Sequence, residues 1–410
     1  MIKIPLSKPY ITDVDQRAVM EVLESSQLSL GPKLEEFEHQ FATFVGARYA
    51  VAVNSGTSAL HLCVKALNIT RGDQVITSPF SFISSANCLL YENATPVFVD
   101  IDPQTLNIDP TKIVEKITPK IRALLPVHIF GLPCDMSQIK SIAAHFHLHI
   151  IEDACEAIGA QCWMPQSSVP EHTQHNVEWR PVGALGQCGA FAFYPNKQMT
   201  TGEGGMVVAN DASIANTCRS LRNQGRALNS QWLSHDQLGY NYRLSELHCA
   251  LGLSQLRRLP AILAKRARVA NWYTERLRHL SEIIVPLQSP NYRRSWFVYV
   301  IRLQDEFSAH DRDALMAKLI EQGIECRSYF PPIHLQPFYV KQFRFKRGDF
   351  PITEQISERT IALPFFTDMT ETQVDYVCEV LKRLLRKAYS SVSIPNVKER
   401  PKIIQKNTVQ

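Results

Sequence analysis

The chain has 410 residues, of which 45% are hydrophobic and 20% are charged, so it is long enough for two domains with large cores. It contains no apolar run of about 20 residues, the length that a membrane-spanning helix needs, and its first residues lack the apolar stretch of a signal peptide. We therefore expect a cytoplasmic protein. The formal net charge is +5, and the segment 390–410 carries much of it, so the nearly balanced body argues against a nucleic-acid-binding face.

The cysteines and histidines give no sign of a metal site. The ten cysteines are spread along the chain without a CxxC pair, which favours small buried side chains in a reducing compartment. Three histidines, His145, His147 and His149, alternate at a helix-to-strand junction but have no acidic or cysteine partner. A structural role is favoured for them, and we expect no bound metal.

In the first half of the chain, short apolar strands alternate with amphipathic helices. The expected strands are Tyr49–Val53, Gln74–Ser78, Pro96–Asp100, Ile121–Val127 and His149–Asp153. Continuously apolar strands that are separated by helices are typical of a mainly parallel sheet covered on both faces. The pattern therefore predicts an α/β fold for this half.

The pattern changes after a helical stretch from about Arg243 to Arg278. A strand is expected at Ser295–Leu303, and helices are expected at Ala309–Gln322 and Thr370–Lys387. This order of elements predicts a second, smaller α+β region at the carboxyl end of the chain.

We expect three parts along the chain: a large domain over 1–260, a small carboxyl-terminal domain over 261–389, and a mobile basic tail over 390–410. The segment Trp163–Arg180 has neither helix nor strand periodicity. It is therefore predicted to be an exposed loop.

The stretch NSGTSAL, which includes Gly56, Thr57 and Ser58, follows an expected strand and opens an expected helix. Amides at a helix N-terminus are free donors, and the helix dipole favours an anion there, so a phosphate could bind. Serine and threonine also cap ordinary helices, so this stretch alone does not decide between the two interpretations.

Asp153 stands at the end of the apolar strand in HIIED, where α/β sheets place their ligands. A carboxylate at that place can pair with a protonated ring nitrogen and keep a pyridine ring able to accept electrons. A helix-capping aspartate is about equally frequent at such a position.

Lys197 lies between an apolar strand and a glycine-rich turn in FAFYPNKQMTTGEGG. A lysine that attacks a carbonyl must lose its proton, and burial favours the neutral amine. An isolated lysine is usually exposed, so the functional interpretation depends on the other motifs. A phosphate cradle, an aspartate for a ring nitrogen and a later lysine are together what a pyridoxal phosphate site requires.

The chain resembles the sugar aminotransferase family often called DegT/DnrJ/StrS, which has the aspartate-aminotransferase fold. The resemblance extends from about Lys3 to Lys387. It is carried by ten stretches in this order: LSKPYI, GPKLEEFE, NSGTSALHL, SPFSFISSAN, ATPVFVDID, PVHIFGLPCDM, IIEDACEAIGA, FYPNKQMTTGEGGMVV, LGYNYRLSE and PIHLQPFY.

The resemblance implies which residues hold the pyridoxal 5'-phosphate. Gly56, Thr57 and Ser58 would bind its phosphate, Phe82 would stack on its ring, and Glu156 would lie near the ring hydroxyl. Many members of the family carry glutamine or histidine in place of that glutamate, which can only accept a hydrogen bond while it is ionised.

The same resemblance implies the catalytic residues. Lys197 would be the Schiff-base lysine and the proton shuttle, and Asp153 would pair with the pyridine nitrogen. Asn241 would reach the cofactor phosphate of the neighbouring subunit in a homodimer with shared active sites. Tyr329 and His334 fall where the family lines its substrate pocket.

Two features depart from the family pattern. A serine that commonly binds the phosphate, five residues before the lysine, is replaced by Ala192. The loop Trp163–Arg180 is also longer than usual. The cofactor phosphate is therefore expected to depend more on backbone amides and on Asn241.

By this resemblance, the chain moves an amino group from an amino acid, expected to be L-glutamate, to a keto sugar carried on a nucleotide diphosphate. Two alternatives differ in class. A sugar dehydratase on the same fold would carry histidine in place of Lys197. A non-catalytic regulator that binds a partner through the basic tail would have no need of both Asp153 and Lys197.

Overall fold

The computed structural model describes residues 3–165, 177–227 and 233–391. Its strands, in chain order, are β1 (Tyr49–Val53), β2 (Gln74–Thr77), β3 (Thr95–Phe98), β4 (Ile121–Leu125), β5 (His149–Asp153), β6 (Gln161–Pro165), β7 (Val177–Pro181), β8 (Cys188–Ala192), β9 (Gly205–Ala209), β10 (Ile283–Ile284), β11 (Tyr292–Arg293), β12 (Tyr299–Leu303) and β13 (Thr360–Leu363).

The α-helices of the described residues follow the same chain order. They are α1 (Asp13–Leu23), α2 (Pro32–Val45), α3 (Gly56–Ala66), α4 (Ser84–Leu90), α5 (Met136–His145), α6 (Ala212–Arg222), α7 (Glu246–Leu277), α8 (Ala309–Glu321), α9 (Pro337–Phe343), α10 (Pro351–Ser357) and α11 (Glu371–Ser391). Within the part of the chain that the structure describes, none of them is long and apolar enough to cross a membrane.

A seven-stranded sheet in the order β1-β9-β8-β5-β4-β2-β3 forms the centre of the molecule. Six of its strands run parallel, and β9 runs antiparallel to both of its neighbours. The predicted mainly parallel α/β fold is confirmed. Because the strands are apolar on both sides, they need helices on both faces, and two separate apolar clusters provide this cover.

Each face of the sheet is covered by its own set of helices. Phe37 and Phe41 of α2, with Leu253 of α7, pack on one face. Leu60 of α3 and Ile214 of α6 pack on the other. The covering helices leave the carboxyl ends of the parallel strands at one edge, which is where ligands bind in such sheets.

A third apolar cluster lies in the carboxyl-terminal region, where α8, α11 and the second half of α7 pack around the sheet β10-β12-β13. Ile4 joins this cluster, because its amide donates to the Gly323 carbonyl at 2.8 Å and it pairs with Ile324. The domain division at residue 260 stays a prediction. Residue 260 is Pro260, inside the continuous helix α7.

The hairpin β6–β7 replaces part of a predicted loop. The expectation of an irregular segment at Trp163–Arg180 was wrong at both ends, because Trp163 pairs with Trp179 across the hairpin and β11 pairs with β6. The two indole rings lie 5.0 Å apart, and such aromatic cross-strand pairs stabilise sheets. The segment 166–176 and the tail from residue 392 onward lie outside the described residues, whereas Ser390 and Ser391 belong to α11.

Candidate active site

A cavity of about 630 Å³ opens at the carboxyl ends of the parallel strands β1, β5 and β8. Ser55, Asp153 and Ala192, which stand at or just after these three strand ends, all line it. Lys197 and Tyr329 line it as well, so residues from distant parts of the sequence meet in one place. The topology thus brings most of the predicted site residues together.

The N-terminus of α3 forms one wall of the cavity. Gly56 and Thr57 line it, and the Ser55 hydroxyl caps the helix by accepting from the Ser58 amide at 3.1 Å. Ser58 is not among the lining residues, because its hydroxyl donates to the Asn54 side chain at 2.7 Å. Free amide donors at this helix end therefore face the cavity at Gly56 and Thr57.

Asp153 is buried, with 4% of its surface exposed, and both carboxylate oxygens are held. Oδ2 accepts from the Ser85 hydroxyl at 2.6 Å, and Oδ1 accepts from the Cys155 amide at 3.1 Å. Nothing in the local pattern of SPFSFISSAN marks Ser85 as functional. Its role becomes visible only when α4 is packed beside the end of β5, and it fixes the direction in which the carboxylate points.

Lys197 projects into the cavity from the turn after β8, where its amide donates to the Tyr194 carbonyl at 2.9 Å. Its Nζ atom lies 3.7 Å from Glu156 Oε1 and 4.0 Å from the centroid of the Phe297 ring. Phe297 is buried and comes from the distant carboxyl-terminal region, so the sequence gives no signal for it. The ring and the carboxylate lie beside the amine, and 13% of the Lys197 side chain is exposed.

Glu156 is buried beside the lysine. Burial raises the pKa of its carboxyl group, and the nearby Lys197 ammonium and the Phe130 amide oppose this rise. The Phe130 amide donates to Glu156 Oε2 at 2.8 Å from a residue with left-handed backbone angles (φ 51°). The raised pKa indicates a carboxyl group that can take up a proton beside Lys197 more readily than an exposed glutamate.

Two aromatic residues predicted from the family pattern also line the cavity. Phe82 is 59% exposed at its mouth. The Tyr329 ring stacks on Phe330 with a centroid separation of 4.8 Å, and burial raises the pKa of its hydroxyl group. Both present aromatic faces to whatever occupies the cavity.

His334 is placed differently from the expectation of a pocket residue. Its side chain is fully buried, and Nε2 lies 3.0 Å from Glu354 Oε1. The neighbouring Ile333 lines the cavity in its place, because one turn of 3-10 helix directs the imidazole toward the aromatic ring of Phe350.

Asn241 lies on an exposed turn and does not line the cavity of its own chain. Its backbone carbonyl accepts from the side-chain amide of Asn54, just before α3, at 3.5 Å. The flanking Tyr240 donates to Glu92, and Tyr242 contacts His61, so a polar cluster fixes the turn. The backbone at Asn241 is therefore held near α3, and the residue is exposed at the surface.

An amine, a buried carboxylate, exposed aromatic rings and a helix N-terminus surround one cavity. These groups match a phosphorylated pyridine aldehyde: amide donors for the phosphate, a carboxylate for a protonated ring nitrogen, and an amine for the aldehyde carbon. The residues therefore fit pyridoxal 5'-phosphate, and the fold and site define an enzyme that depends on this cofactor.

The chain belongs to the DegT/DnrJ/EryC1/StrS aminotransferase family, whose family model matches residues 9–382. Aminotransferases of this family use pyridoxal 5'-phosphate, so the chain is a pyridoxal-phosphate-dependent aminotransferase. This confirms the predicted family, cofactor and reaction class, and it does not support a non-catalytic regulator.

The sequence similarity to several known proteins extends over nearly the whole chain. The spore coat polysaccharide biosynthesis protein SpsC of Bacillus subtilis is 37% identical, covering 94% of this chain and 98% of that protein. A GDP-perosamine synthase of Caulobacter vibrioides is 36% identical, covering 93% and 98%. Among solved structures, Helicobacter pylori PseC, an aminotransferase involved in the biosynthesis of pseudoaminic acid, has a TM-score of 0.85 at 26% identity, covering 94% of this chain and 100% of that chain.

A second solved structure supports the same fold. S. venezuelae DesV in complex with a ketimine intermediate has a TM-score of 0.83 at 31% identity, covering 96% of this chain and 100% of that chain. These similarities confirm the predicted aspartate-aminotransferase-like fold.

Proposed function

We propose that this enzyme transfers an amino group from an amino acid, L-glutamate, to a keto sugar carried on a nucleotide diphosphate. The observation that carries the proposal is the meeting of Lys197, the buried Asp153 and the N-terminus of α3 in one cavity. The names of the relatives support a sugar as the acceptor, since one is a GDP-perosamine synthase and another acts in spore coat polysaccharide biosynthesis.

Pyridoxal 5'-phosphate would be held by three kinds of contact. Gly56 and Thr57 would donate to its phosphate, with Ser58 supporting the turn, and Asp153 would accept from the ring nitrogen. Phe82 would cover the ring. When bound, the cofactor supplies an electron sink for the carbon that gains or loses the amino group.

The protein's own contribution is control of one proton. Lys197 Nζ would take a proton from the amino-acid carbon and give it to the cofactor in the first half of the reaction. In the second half it would carry a proton the other way, from the cofactor to the sugar carbon that gains the amine. Glu156, 3.7 Å away, would stabilise the protonated amine, and the buried Phe297 ring would exclude water beside it. Ser85 would keep Asp153 oriented through its 2.6 Å hydrogen bond.

The sugar would enter on the side of the cavity formed by the carboxyl-terminal region. Tyr329 lines that side together with Ser328 and Gln336, which offer hydroxyl and amide groups to sugar hydroxyls. His334 would act only indirectly, because Glu354 already binds its imidazole.

We further propose a homodimer with shared active sites. Phe82, Tyr91 and Tyr194 are large side chains that are more than half exposed on one chain, and a second subunit would cover them. Asn241 would then reach the partner's cofactor phosphate, where Ala192 provides no hydroxyl. The enzyme would work in the cytoplasm, as expected from its sequence.

The test is to incubate the purified enzyme with L-glutamate and a panel of nucleotide-linked keto sugars, and to follow the products by mass spectrometry. We expect replacement of a carbonyl oxygen by an amine, with formation of 2-oxoglutarate. A Lys197→Ala sample is the control. Loss of water from the sugar without gain of an amine would instead indicate a dehydratase and contradict the proposal.

A further inference from the structure

A second cavity, of about 190 Å³, lies apart from the active-site cavity and shares no lining residue with it. It is lined by the turn at 103–106, by Phe130, by the segment 284–287, by Arg294 and by the strand β12. Two arginines, Arg294 and Arg302, line it, and its other lining residues carry no charge. The cavity therefore combines two cations with neutral walls.

Neither arginine is matched by an acid. Arg294 makes two long contacts with carbonyl oxygens, at 3.3 Å to Phe130 and 3.4 Å to Leu287, and its Nε has no partner. Arg302 donates to the Pro103 carbonyl at 2.8 Å, and its Nε also has no partner. Among the described residues, neither forms an ion pair with a carboxylate, so several guanidinium N–H donors are unused.

Asp305 favours the charged form of Arg302 from a distance, but it is highly exposed and its ion pair is with Arg359 at 2.8 Å. Burial lowers the pKa of Arg294 to about 10, so this side chain is still charged at neutral pH. Arg294 is half-buried and forms no ion pair among the described residues, so an anion that enters the cavity would accept hydrogen bonds from its guanidinium group.

The walls restrict what that anion can be. Leu106, Phe130, Val285, Leu287 and Val300 surround the arginines with apolar surface. A cavity of about 150 Å³ with apolar walls is large enough for a benzene-sized molecule. Inorganic phosphate would leave these walls uncovered, whereas a carboxylate with an apolar body would cover them.

We propose that this cavity binds a small organic carboxylate, with its charged group on Arg294 and Arg302 and its apolar body against Phe130 and Val300. Phe130 also separates this site from the active site. Its ring lies 5.6 Å from the ring of Phe330, which lines the active-site cavity, and its amide holds Glu156. The bound carboxylate thus sits directly behind the wall of the active site.

The probe for this site is benzoate, titrated into the holoenzyme by calorimetry, with benzamide as its neutral counterpart and inorganic phosphate as an anion without an apolar body. We expect benzoate to bind and both comparison compounds to bind at least about tenfold more weakly, because each lacks one of the two interactions. Arg294→Gln should weaken benzoate binding by about tenfold to a hundredfold.

The matched control is Arg293→Gln, which removes the neighbouring exposed arginine that donates to Gln161 and faces Trp179. It should leave benzoate binding unchanged. Val285→Trp, which fills the cavity without changing charge, should abolish binding, and circular dichroism checks that each variant is folded. Unchanged benzoate affinity in Arg294→Gln or Val285→Trp, or equal affinity for benzamide or phosphate, would overturn the proposal.

Discussion

At the scale of single residues, two neighbouring side chains determine the position of the Lys197 amine. Its amine lies within 4.0 Å of both a carboxylate oxygen of Glu156 and the centroid of Phe297. These two groups come from different parts of the chain and restrict where the amine can move. A flexible lysine is thereby converted into a positioned one, which is what a proton carrier between two fixed atoms requires.

The first prediction concerns this lysine. Lys197→Ala should lower kcat at least about a hundredfold to ten-thousandfold, because no other amine lines the cavity among the described residues. The variant should also lose the absorbance of the lysine-bound cofactor while its circular dichroism is unchanged. Lys265→Ala, at a lysine that contacts Tyr10 instead, is the control. Transamination at the normal rate by Lys197→Ala would refute the assignment.

The second prediction concerns Glu156 and pH. Burial raises its pKa in the folded chain above the ordinary value of 4.5, so the folded protein binds this proton more tightly than the unfolded one. Its contribution to the free energy of unfolding is therefore fully present below pH 4.5 and is lost as pH rises through the folded pKa. In this range, the free energy of unfolding should fall by at most about 1.4 kcal/mol per pH unit on account of Glu156.

Glu156→Gln should remove this slope, because glutamine does not titrate. The measurement is urea unfolding of the cofactor-free protein at a series of pH values above 4.5, with the variant and the wild type compared at each pH. Every other titrating group is common to both proteins, so the difference isolates Glu156. Parallel pH curves for the two proteins would contradict the raised pKa.

At the scale of elements, the N-terminus of α3 and the end of β8 approach unusually closely. A Cβ atom at Gly56 would lie 2.6 Å from the Ala192 Cβ and 3.1 Å from the Cys155 sulfur. The contact therefore requires small residues at both positions 56 and 192. The small Ala192 allows the helix end, with its amide donors, to lie directly against the sheet.

The third prediction tests this contact. Gly56→Ala should push the helix end away from the sheet and weaken cofactor binding about tenfold, since a displaced amide loses a hydrogen bond to a charged group. The cofactor dissociation constant is measured by absorbance titration. The double variant Gly56→Ala/Ala192→Gly removes the methyl group in the way and should recover most of the affinity. Equal weakening in the single and double variants would exclude this explanation.

The hairpin β6–β7 shows where element prediction failed. Trp163 and Trp179 face each other across two strands, but the segment that separates them in sequence hides this pairing from any local pattern. The helices α8 and α11 were predicted within a few residues, because their apolar residues recur at helical spacing. The spacing of apolar residues within one segment is enough to predict a helix. A pair of strands cannot be predicted in this way, because it depends on a partner elsewhere in the chain.

At the scale of the whole molecule, the active-site cavity of one chain is open. Phe82 is 59% exposed at its mouth, and Asn241 lies on the surface near α3 without lining the cavity. In the proposed dimer, Asn241 of each chain completes the site of the other. The loss of this one amide should weaken cofactor binding about tenfold to a hundredfold, since a hydrogen bond to a charged group contributes about 1.5–3 kcal/mol.

The fourth prediction mixes two impaired variants, Lys197→Ala and Asn241→Ala, after subunit exchange by mild denaturation and refolding. The assay is run at limiting cofactor. If sites are shared, each hybrid dimer has one doubly altered site and one native site, so activity should reappear on mixing. Refolded samples of each variant alone are the controls. No gain over these controls would mean that Asn241 serves its own chain, and the shared-site proposal would fail.

The sequence by itself determined the α/β class and the family, and it predicted the roles of Lys197 and Asp153, because strand periodicity and contiguous motifs are local properties of the chain. Ser85, Phe297 and the buried orientation of His334 were decided only by the tertiary structure. Each of these depends on which elements pack together, and no local pattern records such a contact. The same reason applies to the cavity at Arg294 and Arg302, because only folding brings these two residues and Phe130 to one place.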